Sequence, residues 1–187
     1  IIKPYIEVRS QLTLATVLPE TQWRLDHFYP VDNDKFISPL SAVYVSSQPE
    51  LNFVKAILNE VDAFDSFIKS PDKGFYSIPY SFKPTDIGST HVKRANFNPD
   101  FFLLKKESKD ILVVEIKQDD DLAQENRAKL RDAREHFENL NKELEKVARL
   151  WRYYLYFLSP TDYVSFMAAV RDNSYQNYRS ELMMQLN

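Results

Sequence analysis

Apolar positions along this chain recur with two different periods, and the changes between them mark the predicted elements. From Leu122 to about Leu150 there is neither Gly nor Pro. In that stretch Leu130, Ala133, Phe137, Leu140, Leu144 and Val147 recur at three- and four-residue steps, which predicts an amphipathic helix of about 40 Å. The stretch SSQPELNFVKAILNEV predicts an earlier helix. Ser47 suits the N-cap, Pro49 the first turn, and Glu50 the third position after the cap, the spacing of a capping box. Phe53, Val54 and Ile57 would form its buried face. SPTDYVSFMAAV predicts a third helix, with Ser159 as N-cap, Pro160 at the first position, and Tyr163, Phe166, Met167 and Val170 along one side. A short helix around YQNYRSELMMQL closes the order.

Between the helices the pattern shortens to that of strands. GFYSIPYSF (74–82) reads as a strand whose proline places it at an edge or bulge. A polar, partly basic loop follows, KPTDIGSTHVKRAN. Two apolar runs joined by the turn ESKD come next, and WRYYLYFL (151–158) reads as a buried strand rather than a base-stacking platform. Helix, three strands, long helix, strand, helix is an α/β order with an antiparallel start and a later crossover. Residues 1–45 carry Pro4, Pro19, Pro30 and Pro39 among short β-prone pieces. They read as an appendage, or the tail of a preceding domain, packed onto a domain spanning 46–187. The first residue, Ile1, suits a fragment of a longer chain.

One stretch departs from the expected oiliness of a buried sheet. In NPDFFLLKKESKDILVVEIKQDDD, Asp100 opens one apolar run, and Glu115 and Lys117 close the next. An antiparallel hairpin centred on ESKD sets Lys117 opposite Asp100 and Glu115 opposite Phe102. Directly opposed residues share a face and side chains alternate with period two, so Asp100, Glu115 and Lys117 emerge together. A one-residue slip would separate them.

Composition narrows the chemistry. The chain has 187 residues, enough for one domain with a real core, and its 44% hydrophobic and 27% charged content is that of a globular protein. It has no cysteine, which removes disulfides, zinc–thiolate centres and cysteine nucleophiles and fits a reducing, cytoplasmic setting. Its two glycines, Gly74 and Gly88, are too few for a Walker loop or a dinucleotide fingerprint. Neither H-E-x-x-H nor G-x-S-x-G occurs, and the histidines (His27, His91, His136) are scattered. No apolar run is long enough for a membrane span. A net charge of −3 argues against a nucleic-acid binder that works by bulk electrostatics alone.

Two carboxylates and an amine at one strand end need partners. A divalent cation meets that need, because hard carboxylate oxygens suit Mg²⁺ or Mn²⁺. Such an ion polarises phosphoryl oxygens and acidifies water, and a neighbouring lysine orients that water or stabilises the charge that develops. PD at 99–100 followed by EIK at 115–117 resembles the PD-(D/E)xK nuclease superfamily. SSQPELNFVKAIL, FYSIPYSF, FNPDFFLL and ILVVEIK, in that order, resemble the C-terminal endonuclease domain of type III restriction enzyme Res subunits and related helicase-nucleases, over about residues 46–170.

The resemblance implies a restriction-endonuclease-like mixed sheet with an antiparallel hairpin core flanked by helices. It implies a Mg²⁺- or Mn²⁺-dependent endonuclease for DNA, working as the nuclease module of a larger ATP-dependent restriction or defence protein. Its partners would be a helicase or translocase part and a methyltransferase or specificity subunit. Asp100 and Glu115 would be metal ligands joined by the Ile116 carbonyl and by Glu50, with Lys117 as water-orienting base or charge stabiliser. Gln118 stands where many relatives have glycine, which alters the turn after the strand and leaves the trio intact.

Each assignment has a plainer competitor. Asp100, Glu115 and Lys117 would also make a structural ion-pair cluster, and the capping box alone accounts for Glu50. Asp119 to Asp121 suit a second metal or, equally, a solvated acidic run before a helix. Lys93, Arg94 and Lys129 are the candidate phosphate contacts, and His91 is a loop histidine near the active strand. A catalytically silent DNA- or partner-binding module and an RNA-cleaving nuclease remain the alternatives.

Overall fold

The computed structural model describes residues 27–38, 40–71, 74–84, 91–147 and 151–187. At its centre is a four-stranded sheet of β3 (Ser66–Lys69), β6 (Phe101–Lys105), β7 (Asp110–Ile116) and β8 (Arg152–Leu158), in that spatial order. β3, β6 and β7 run antiparallel, and β8 joins β7 in parallel. A parallel pair needs a crossover. Here it is the long helix α2 (Gln124–Lys146), preceded in the chain by α1 (Gln48–Asn59) and followed by α3 (Tyr163–Arg171) and α4 (Glu181–Leu186). The chain is thus a mixed α/β domain with an antiparallel hairpin core and flanking helices, as expected.

The alternation of side chains sorts these helices onto two faces. Phe101, with its ladder partner Val114, faces α1: its ring lies 5.1 Å from that of Phe53, which also packs on Tyr163 and Phe166 of α3. Phe102 and Val113 face the other way, and Phe102 meets Tyr76, which stacks on Phe137 of α2. Phe53, Phe101 and Phe166 are fully buried, each worth about 1.5–3 kcal/mol in transfer free energy. Tyr163, Phe166, Met167 and Val170 form the buried stripe predicted for α3, and Ser159 makes a capping box with Asp162 ahead of it.

Several expectations need correction. The strand expected over 74–82 is shorter, β4 (Ile78–Phe82), and lies outside the main sheet. It pairs with β5 (Lys93–Phe97), part of the stretch expected to be loop. KRANF has four exposed positions and no apolar alternation, so its pairing comes from β4 and not from burial. β3 falls where no element was expected, in the short run SFIK. In α2, Leu130, Ala133 and Phe137 are buried, while Val147 just beyond its end is 65% exposed, because the helix outruns the sheet. Its 23 residues span about 34 Å rather than 40.

Residues 28–30 (β1, Phe28–Pro30) and 42–44 (β2, Ala42–Tyr44) form a small antiparallel pair. Phe36 bridges to Phe67 of β3, and the rings stack at 5.1 Å. Val31, Phe36, Val43 and Val45 share the common core. Pro4, Pro19, Pro39 and Gly88 lie outside the described residues. Among the described residues no helix is long and apolar enough to cross a membrane.

Candidate active site

The β6–β7 hairpin turns through Lys106–Lys109, one residue earlier than expected, with Lys109 closing it at φ 59°. The register therefore sets Phe101 opposite Val114, where the expected register would set it opposite Ile116. A two-residue shift preserves the face of every side chain. Asp100, one step beyond the ladder, stands across from Glu115, and its Oδ2 accepts a hydrogen bond from the Ile116 N–H at 2.8 Å. Its own carbonyl accepts from Ser70 N–H at 2.8 Å, which pins the start of β6 against the end of β3.

Glu115 is 4% exposed, and Lys117 donates to its Oε1. Its Oε2 is buried and has no hydrogen-bond partner. Burial, followed by the charge of Asp100, pushes the Glu115 carboxyl up to about 8, even though the Lys117 ammonium pulls it down. Burial lowers Lys117, but the Glu115 and Asp100 carboxylates outweigh it and hold that ammonium above its ordinary value. The three residues expected to emerge together are together.

Glu50 reaches the same sheet end from the other face. Ser47 caps α1 by accepting from Glu50 N–H at 3.4 Å. The reciprocal half of the capping box is absent. The Glu50 carboxylate accepts from Ser46 instead, from its N–H at 3.1 Å and its hydroxyl at 2.6 Å. Its Oε2 also lies 3.3 Å from Lys69 Nζ, and the same ammonium is 3.6 Å from Asp100 Oδ1. The Lys69 side chain is 6% exposed and lies over the Phe101 ring at 5.3 Å. Sequence reasoning misses Lys69 because SFIKS is too short and irregular a run to predict an element. A lysine closing a short apolar run, as in EIK, was the available signal.

Among the described residues no group of three His, Asp or Glu side chains converges as a ready metal cluster. The oxygens at the hairpin end nevertheless suit a hard cation. Two carboxylates stand on neighbouring strands, the Ile116 carbonyl lies between Glu115 and Lys117 in the chain, and Glu115 Oε2 is buried without a donor.

The remaining candidates lie around this centre. Asp119 Oδ1 accepts from Thr161 Oγ1 at 3.2 Å, Asp120 adopts φ 60°, and the Asp121 carbonyl accepts from Asn126, so this acidic run shapes the turn between β7 and α2. Lys129 pairs with Glu125 at 3.0 Å and lies over the Tyr80 ring, while Tyr80 donates to Glu125 at 2.5 Å. That hydrogen bond, ahead of Lys129, holds Glu125 below the ordinary carboxylate range. Lys93 and Arg94 project from β5, exposed, with no ion pair among the described residues, and His91 is exposed just before them. A groove of about 370 Å³ beside the ribbon is lined by Tyr80, Ser81, Arg94, Asn96 and Asp132, and none of Asp100, Glu115 and Lys117 lines it.

No curated protein and no solved structure matches the chain. A family model does: that of an endonuclease domain, over residues 37–149, a span that contains Glu50, Lys69, Asp100, Glu115 and Lys117. The match covers more than half of the chain, and the chain belongs to that endonuclease-domain family.

Proposed function

We propose that this domain is a metal-dependent DNA endonuclease of the PD-(D/E)xK type, with Asp100, Glu115 and Lys117 as its catalytic residues. The observation that carries the reading is Glu115 Oε2, a buried carboxylate oxygen without a donor, set beside Asp100 and Lys117. Such an atom is costly unless a partner meets it. Asp100, Glu115 and the Ile116 carbonyl would hold a Mg²⁺ or Mn²⁺ ion. The bound ion would supply Lewis acidity to a phosphoryl oxygen and to the attacking water.

The chain's own residues supply the rest. Lys117, tethered to Glu115, orients the attacking water and opposes the negative charge that grows on the phosphorus oxygens. Ile116 N–H fixes the Asp100 carboxylate, so the two acids hold their spacing before substrate arrives. Hydrolysis adds water across one P–O bond and leaves a phosphate monoester and a hydroxyl. Lys93 and Arg94 contact the DNA phosphates. Lys129, engaged with Glu125, contributes to that surface through the position of Tyr80.

Two glycines in 187 residues leave no room for a phosphate loop. With the resemblance to Res subunits, this supports a nuclease module whose ATP-driven translocase and methyltransferase or specificity partner lie elsewhere. Incubation of plasmid DNA and of RNA with Mg²⁺, Mn²⁺ or chelator tests the activity. Cleavage of DNA, abolished by chelator and strongly slowed by Asp100→Ala, is expected. DNA left intact with either metal would sink the reading, and cleavage of RNA alone would replace DNA as the substrate.

A further inference from the structure

Glu50 and Glu115 stand at the same end of the sheet, but on opposite faces of it. Lys69 pairs in register with Phe101, so its side chain leaves on the α1 face, the side from which Glu50 comes. Asp100 and Glu115 belong to the α2 face. Asp100 lies just past the end of the ladder, so its carboxylate is reached from both sides, by Ile116 N–H on Oδ2 and by Lys69 on Oδ1. A cation therefore already stands between Glu50 and Asp100. It is the Lys69 ammonium, 3.3 Å from one carboxylate and 3.6 Å from the other, on a side chain only 6% exposed.

The remaining contacts point the same way. Glu50 is saturated by neighbours of its own, the Ser46 N–H and hydroxyl on its two oxygens and Lys69 on Oε2. Glu115 is not, since its Oε2 has no partner. Across the sheet end three acidic side chains face two ammonium groups, Lys69 and Lys117, and the oxygen left without a partner is on Glu115. A buried ammonium at the first position and an unmet oxygen at the second describe one open cation site.

We propose that Lys69 is a built-in cation that takes the place of a second metal ion. The domain then binds a single divalent ion at Asp100 and Glu115, and Glu50 anchors Lys69 instead of ligating metal. The inference rests on the reading of Asp100 and Glu115 as metal ligands and revises the role that family resemblance gives Glu50. Lys69 is a positioning residue here. It sets the number of metal ions and the orientation of Asp100, and it does not meet the reacting phosphate.

Mn²⁺ bound per chain, counted by titration calorimetry and by electron paramagnetic resonance, tests this without any nuclease assay. The wild type is expected to bind one ion, and Glu115→Ala none. Glu50→Gln is expected to keep that one ion, because the amide removes only the anchor's charge. Lys69→Met is expected to bind two, the second weaker, as the Glu50 and Asp100 carboxylates face each other without their counter-ion. Lys69→Met combined with Glu50→Gln is expected to return to one.

Two ions in the wild type, loss of the ion in Glu50→Gln, or a single ion in folded Lys69→Met would each overturn the inference and leave the nuclease reading standing. No Mn²⁺ bound by any of these proteins at millimolar concentration would overturn both. Should Lys69→Met fail to fold, judged by circular dichroism, the Glu50→Gln count decides alone.

Discussion

Strand β7 begins on a buried carboxylate and carries another one residue before its end, and the two ends are finished in different ways. At its start Asp110 is 3% exposed, and its Oδ2 accepts from the Tyr175 hydroxyl at 2.7 Å and from the Gln176 amide at 3.3 Å. Both donors are neutral, and Tyr175 is itself buried and bonded to Ser108 and Tyr156. At the other end Glu115 is equally buried, has an ammonium on one oxygen, and has nothing on the other. The same strand thus carries one carboxylate that the fold satisfies and one that it leaves incomplete. The incomplete one stands at the carboxyl end of the parallel pair β7–β8, the end where open α/β sheets generally bind ligands. A buried charge is therefore informative only once its partners have been counted.

Substitutions at the two ends should separate activity from stability. Asp100→Ala and Lys117→Ala are each expected to lower the DNA cleavage rate by roughly 10²–10³-fold, the loss typical of removing one group that stabilises developing charge, without a matching loss of fold. Asp110→Asn should cleave within a few-fold of wild type. Single-turnover rates beside thermal melts check both. Cleavage that collapses equally in Asp110→Asn and Lys117→Ala would erase the distinction between the two ends.

Stability should show the reverse. Asp110→Ala leaves the Tyr175 hydroxyl and the Gln176 amide without their acceptor, in a buried setting for the tyrosine. The expected cost is about 1–3 kcal/mol, read from urea unfolding. Glu115→Gln should cost less than Asp110→Ala, because it removes a carboxylate that is poorly satisfied in the folded chain.

Glu115 also predicts a pH dependence of definite sign. Its carboxyl is raised to about 8 in the folded chain against an ordinary 4.5. Between those values the folded state keeps a proton that the unfolded state has released. Its contribution to stability therefore falls as pH rises through that window and levels off above it. Melts of wild type and Glu115→Gln in chelator should diverge in favour of the variant from about pH 5 to pH 8 and then run parallel. A difference that stays flat with pH would mean that burial does not raise the Glu115 carboxyl in the folded chain.

How much of this was legible in the sequence follows from which signals are local. The α1 cap, the stripe of α3 and the two apolar runs of β6 and β7 are written in adjacent residues, and their periods alone place Asp100, Glu115 and Lys117 on one face. The two-residue error in register left those faces unchanged, since parity and not the exact partner decides them. β5 was not legible. Lys93, Arg94, Ala95 and Asn96 are exposed, and what makes KRANF a strand is the backbone of β4. Lys69 was hidden for a related reason. Its meaning comes from Glu50, nineteen positions earlier, and Asp100, thirty-one later, and no periodicity connects them. Ser46 likewise displaced the predicted capping box because the Glu50 carboxylate had a second donor one residue further out.

The smallest expected effect applies the same counting of partners to cations. Lys69 is buried between Glu50 and Asp100, the half-buried Lys117 is bonded to Glu115, and Lys129 is held by Glu125 and Tyr80, so none of the three is available to a distant phosphate. Lys93 and Arg94 are exposed on a two-stranded ribbon whose far end, at Phe97, leads within three residues to Asp100. A phosphate contact should therefore be made by the second group and not by the first. Lys93→Ala with Arg94→Ala is expected to weaken DNA binding only a few-fold, yet to flatten the dependence of log Kd on log salt by about 1 per residue. Cleavage at saturating DNA should hardly change. Lys129→Ala should leave the salt slope as it is, because its charge is already spent on Glu125. Binding titrations at four or five salt concentrations distinguish the two, and equal slopes for all the variants would move the DNA surface away from the β4–β5 ribbon.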